Sequence, residues 1–303
     1  MHAAQVFYQT SWPVNTPFNV SLFPIPKKNA GMLATPHVNN LCVGVLTDTT
    51  NYELKAGVIL HEMDHIFYKE QAKEQQNKLE KFFLNNPSIY SRYAYEYIDE
   101  ALATAIGNGW ASKQITGSLK TGPWYANDYI DGFAKALYPM VEDYLNHGKG
   151  IDSIFVSKSI SLFEKSFPRA TTDYTLLFLN VSIYNESEGN AEELYIKLGN
   201  KFKLFQVTID ALSEKENVEK LKTKKGTQLI VLAGESNKYI NDLKKIFPRL
   251  KNIKIKPNAI LSFVDENQRP IIILIPEKLE TVDALIKVMK EKRYFDPNKI
   301  VQN

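Results

Sequence analysis

His61 and His65 stand four residues apart in the run Gly57-Val58-Ile59-Leu60-His61-Glu62-Met63-Asp64-His65, with Glu62 directly after the first histidine. Four residues is about one turn of an α-helix, so the two imidazoles project from one face and can meet at a single zinc ion. Glu62 points to the same side without having to ligate. It can hold a zinc-bound water and take its proton, which is the role of a general base. The chain has five histidines and 21 glutamates in 303 residues. Chance places only about 0.006 such runs in a chain of that composition.

A catalytic zinc site has three protein ligands and one open position. The residues alone leave the third ligand open. Cys42 offers a thiolate but lies inside a strand-like apolar run, and no third histidine follows at the short spacing of a metzincin. In Tyr95-Glu96-Tyr97-Ile98-Asp99-Glu100-Ala101-Leu102-Ala103, Glu100 is followed by small residues that let a second helix approach the first, and Glu96 lies one turn earlier on the same face. His-Glu-x-x-His with Glu-Ala-x-Ala on the next helix resembles the gluzincin zinc peptidases, the group of thermolysin and aminopeptidase N. That resemblance implies Zn2+ held by His61, His65 and Glu100, Glu62 as the base, and a peptide or protein substrate. The 35 positions from His65 to Glu100 exceed the spacing of the best-known members, which keeps Glu96 as a rival ligand.

Downstream, Tyr129-Ile130-Asp131-Gly132 is similar to the Tyr-x-x-Gly helix of the aminopeptidase-N group. The similarity implies that Tyr129 donates a hydrogen bond to the oxyanion of the tetrahedral intermediate, a contribution of about 3 kcal/mol when one donor is well aligned. The likeness covers about Leu41–Ile151, and no Gly-x-Met-Glu-Asn is present, so gripping of a free N-terminus has no support. A reading of another class is a non-catalytic, zincin-derived binding module. It would have a closed four-ligand site including Cys42 and a second domain that binds a partner. A base beside an open coordination position argues against it.

The elements that must position these groups follow from periodicity and punctuation. A helix from about Tyr52 to Leu84, stopped by Asn85-Asn86-Pro87, carries the histidine pair. A second spans about Ser91–Ile106 and ends at Gly107-Asn108-Gly109; a third spans about Asn127–Leu145, with Pro139 expected to kink or split it. His147, at its C-terminus, suits a structural role against the helix dipole. Phe18–Phe23 and Leu41–Leu46 read as strands. By the resemblance, the second is the edge strand along which an extended substrate lies.

Beyond Phe167-Pro168-Arg169 there is no histidine or tryptophan, and strands alternate with helices. The strands are expected at Tyr174–Tyr184, Phe202–Thr208, Thr227–Ala233, Ile253–Val264 and Ile271–Ile275, with a hairpin turn at Asp265–Gln268. The helices are expected at Ala191–Leu198, Ser213–Thr223, Lys238–Phe247 and Thr281–Lys292. The fold expected is α+β. A zincin-like, mainly helical metallopeptidase domain with a small N-terminal sheet occupies residues 1–168, and an α/β sandwich with a mixed sheet occupies 169–303.

Composition sets the outer bounds. A hydrophobic fraction of 44% and a charged fraction of 23% exclude wholesale disorder. Net charge is +3, from 37 basic and 34 acidic residues, which gives no reason to expect nucleic acid as a partner. One cysteine cannot form an intrachain disulfide. No run approaches the roughly 20 apolar residues of a membrane span, and no glycine-rich phosphate loop follows a strand. The start, Met1-His2-Ala3-Ala4-Gln5, has neither a basic nor an apolar leader segment. The compartment stays open, with a secreted or periplasmic mature chain slightly favoured over a cytoplasmic one.

Overall fold

The computed structural model describes residues 1–13, 15–26, 34–47, 53–187, 191–234 and 238–302, and of 53–55 the backbone alone. Asp48 and Thr49, in the turn-prone Thr47-Asp48-Thr49 that follows the Leu41–Leu46 strand in the sequence, and Tyr52, the expected helix start, lie outside these residues. The fold is α+β with two mixed sheets, and the chain divides into two compact units, Met1–Pro168 and Arg169–Asn303.

In the first unit, helix α1 (His2–Tyr8) precedes a three-stranded sheet of β1 (Asn19–Ile25), β2 (Ala34–His37) and β3 (Asn40–Leu46). The order is β1-β3-β2, with β1 parallel and β2 antiparallel to β3. The Leu41–Leu46 strand is therefore central and paired on both sides, contrary to the expectation of an edge. Its apolar run, with Leu41 and Val43 buried, suits the middle of a sheet. The edges are β1, where a strand was expected at Phe18–Phe23, and the short β2, for which the sequence offered no signal.

Helix α2 (Glu53–Lys69) carries His61, Glu62 and His65. The single long helix expected to Leu84 is two helices, because the chain turns out at Ala72 (ψ 142°) before α3 (Lys73–Leu84) begins. The break is specified by side chains. Buried Gln71 donates its Nε2 to the Tyr8 carbonyl at 2.6 Å, and Gln76 Nε2 donates to the carbonyls of Lys69 (2.8 Å) and Gln71 (3.0 Å), which the helix end leaves unpaired.

Helix α4 (Ser91–Ala103) continues into a π-helical segment, Thr104–Ala111, and then α5 (Ser112–Thr116). The glycines at 107 and 109 do not end the helix as expected; Gly117, in the left-handed region at φ 78°, does. Both glycines are buried in tight packing, which favours their staying helical in spite of their propensity. Helix α6 (Asp128–Asn146) starts at Asn127, whose side chain accepts from the backbone N–H of Tyr129 and Ile130, and runs through Pro139 unbroken. Leu137, Tyr138 and Val141 bury that stretch and offset the one lost backbone bond. Helix α7 (Ser153–Ser166) completes the unit. Helix α2 packs on α4 and the π segment, and α6 packs on the same continuous helix.

The second unit holds a five-stranded sheet in the order β5-β4-β6-β8-β7. Here β4 is Asn180–Glu186, β5 Gln206–Asp210, β6 Thr227–Leu232, β7 Ala259–Val264 and β8 Pro270–Ile275. Four strands are parallel and β7 runs antiparallel to β8. Between them lie α9 (Ala191–Gly199), α10 (Lys215–Thr223) and α11 (Lys238–Ile246), and α12 (Val282–Lys292) follows β8. Three expected strands start late, β5 at Gln206 rather than Phe202. Asp173 caps a short helix, α8 (Tyr174–Leu177), so β4 begins at Asn180. Pro257 lacks a donor and Asn258 has φ 57°, so β7 begins at Ala259.

Candidate metal centre

Two elements meet at the centre. Helix α2 presents His61 and His65, which are 5% and 7% exposed, and α4 presents Glu100. His61 Nε2 and His65 Nε2 are 3.1 Å apart, and Glu100 Oε2 lies 3.6 Å from each. Ligands at about 2.1 Å from a tetrahedral zinc are separated by about 3.4 Å. The three edges match one face of such a tetrahedron. Glu100 Oε2 is buried and faces both Nε2 atoms. Lone pairs aimed at one point repel unless a proton or a cation sits between them. Two imidazole nitrogens and one carboxylate oxygen are a donor set that fits zinc.

Supporting groups fix both rings. Asp99 Oδ1 accepts from His65 Nδ1 at 2.9 Å, and Thr104 Oγ1 lies 3.5 Å from His61 Nδ1. With Nδ1 engaged outward, each Nε2 is left to face the centre. Burial opposes protonation of His65, but its hydrogen bonds to Asp99 and Glu100 and their charges prevail and lift its pKa to about 10. Burial also works against an ionised Glu100, yet the two imidazoles outweigh it and hold the carboxyl well below the usual carboxylate range. Each pushes the other toward its charged form.

Glu62 lies one position from His61 and is half-buried. Burial is the main cause that raises its pKa above the ordinary carboxylate value, with the negative charge of Glu100 adding to it against the opposing histidines. The rival ligands are placed elsewhere. Glu96 accepts from Arg92 Nε at 3.1 Å, and Cys42 sits on β3, paired with Ser21 and Thr35. Among the described residues the only group of three or more potential ligands is His61, His65 and Glu100.

Tyr129 is buried, its ring against Tyr97 (5.8 Å) and Phe167 (4.7 Å). Tyr125 is the tyrosine beside the centre: its ring stacks on His61 at 5.8 Å and 23°. Its hydroxyl is pushed up to about 12, by burial first and then by the nearby carboxylates of Glu100 and Glu62. Asp131 holds Tyr125 there. Its Oδ1 accepts from the backbone N–H of Trp124 (2.6 Å) and Tyr125 (3.3 Å), while Oδ2 pairs with Lys135 at 2.7 Å. His147 is at the exposed end of α6 on Asp143, away from this site.

Asp99, Thr104, Tyr125 and Asp131 were missed at the sequence level. Asp99 and Thr104 had a signal, since one adjoins Glu100 and the other follows it by four residues on the same face. Tyr125 had none, because it lies in an irregular stretch with no period. No helix among the described residues is long and apolar enough to cross a membrane. Compared with known protein families, curated proteins and solved structures, the chain matches none.

Proposed function

We propose that the chain is a zinc-dependent peptidase of gluzincin type, with His61, His65 and Glu100 as ligands in a zincin-like first unit. The observation that carries this reading is the triangle of three donor atoms, sized for one small tetrahedral cation, beside a half-buried carboxylate on the same helix. Zinc held there would supply Lewis-acid activation of water and of a scissile carbonyl at neutral pH.

The chain's own residues do the rest. Glu62, with its raised pKa, accepts the proton of the attacking water and returns it to the leaving amine. The oxyanion donor we assign is Tyr125 rather than Tyr129, since Tyr125 lies on the ligand His61 and keeps its proton well above neutral pH. Asp99 and Thr104 keep the imidazoles in the tautomer that leaves Nε2 facing inward.

Metal analysis of the purified chain and cleavage of a mixed peptide pool test the reading together. About one zinc per chain is expected, with Glu62→Gln keeping the metal and losing roughly 10²–10⁴-fold in turnover. An intact Glu62→Gln rate, or no zinc uptake by the wild-type chain, would sink it. Tyr125→Phe should slow turnover and Tyr129→Phe should not; the reverse pattern returns the role to Tyr129.

A further inference from the structure

The face of the α4–π helix that meets α2 is built from Glu100, Thr104 and Gly107, spaced four and three residues apart. Glu100 supplies a donor, Thr104 lies against His61, and Gly107 makes the closest contact of all. A methyl group built on Gly107 would stand 2.5 Å from His61 N, 2.6 Å from Gly57 O and 2.7 Å from His61 Cα. Gly57 O and His61 N are the two ends of one i to i+4 hydrogen bond of α2, so the Gly107 backbone lies directly over the turn that carries the first histidine. From the other side, a methyl on Gly57 would meet Gly107 O at 3.0 Å. All these neighbours are backbone, which cannot rotate aside.

We infer that Gly107 is the positioning residue of the metal centre: its missing side chain sets the separation of α2 from α4 and thereby the size of the donor triangle. The inference rests on the zinc reading above. A Cβ needs about 3.4 Å of clearance from such atoms, so an added methyl drives the helices apart by nearly 1 Å at His61. Glu100 lies seven residues before Gly107 on the same continuous helix and moves with it. Its two 3.6 Å edges to the histidines then outgrow what one zinc spans, while the 3.1 Å edge within α2 stays. A π-helical stretch at the contact supports this, since such segments persist where they aim a functional group.

The test is zinc affinity of the full chain, by competition with a chelator, for three alanine variants beside wild type. Gly109→Ala is the control. It strains the same π segment, with a methyl 2.8 Å from the Trp124 ring and 2.9 Å from the Tyr138 ring, and its three nearest neighbours all lie off α2. Gly107→Ala is expected to weaken zinc binding at least about tenfold, Gly57→Ala by less, and Gly109→Ala by under about twofold, even where its thermal midpoint falls as far. Wild-type affinity in folded Gly107→Ala overturns the inference, and so does an equal loss in Gly109→Ala. Should Gly107→Ala fail to fold, unchanged affinity in Gly57→Ala overturns it. Absence of zinc binding by the wild type is a separate result, which defeats the zinc reading itself.

Discussion

At the scale of single residues, the centre depends on groups that never touch the cation. Asp99 and Thr104 each occupy the far nitrogen of one imidazole, at 2.9 and 3.5 Å. The shorter bond also carries charge, so Asp99 is the stronger support. Asp99→Asn keeps an oxygen acceptor but removes that charge, and should weaken zinc binding by about 10–100-fold with little change in fold. Chelator competition reads this directly, and an unchanged affinity would mean that His65 needs no anchoring. Glu100→Ala should abolish tight binding and Glu96→Ala should leave it intact, because Glu96 is engaged by Arg92. The His61-Glu62-His65 run was legible in the sequence because one helical turn converts spacing into shared direction. Glu100 was reached through resemblance. Tyr125 was invisible because what places it is a hydrogen bond from its own backbone to Asp131, six residues on, and no periodicity encodes that.

At the scale of elements, the sequence revealed helices better than their ends. Helix α2 was read through to Leu84 because its polar and apolar pattern continues; the buried Gln71 that interrupts it makes a contact 63 residues away, to Tyr8. Two glycines were read as a terminus because local propensity is all a sequence displays there. In the fold both are points of close packing, and tertiary contact wins. The start of α6 shows both kinds of information in one place. Asn127 is a local cap, and Asn127→Ala should cost about 1 kcal/mol of stability in chemical denaturation. Asp131, one turn in, holds the backbone of Trp124 and Tyr125. Asp131→Ala should leave the zinc content at wild-type level and slow peptide cleavage, by an amount close to that of Tyr125→Phe. If the two changes multiply in the double variant instead of overlapping, Asp131 acts by some route other than Tyr125.

At the scale of the whole molecule, each unit closes its own core. The first buries Phe7, Phe67, Phe133, Phe155 and Phe163. The second packs Tyr184, Leu221, Ile230, Leu261, Phe263 and Ile273 about its sheet. Within that second core lies a charged pair, Arg269 and Asp265, whose side chains are 7% and 2% exposed and joined at 2.7 and 2.8 Å. Arg269 Nη1 also donates to the carbonyls of Leu221 (2.8 Å) and Lys224 (3.1 Å), tying the β7–β8 hairpin to the end of α10. A buried pair of this kind adds little net stability over an apolar substitute, but removing one partner leaves the other charge without compensation. Arg269→Ala should therefore destabilise the second unit by about 3–5 kcal/mol, whereas Asp265→Ala combined with Arg269→Met should cost much less. Every residue assigned to the metal centre lies in Met1–Pro168. The full-length Arg269→Ala chain should then show an early unfolding step in the second unit while binding zinc with wild-type affinity. A matching loss of zinc in the native baseline would show that the second unit contributes to the centre, and would direct the search for its role to the first unit's metal site.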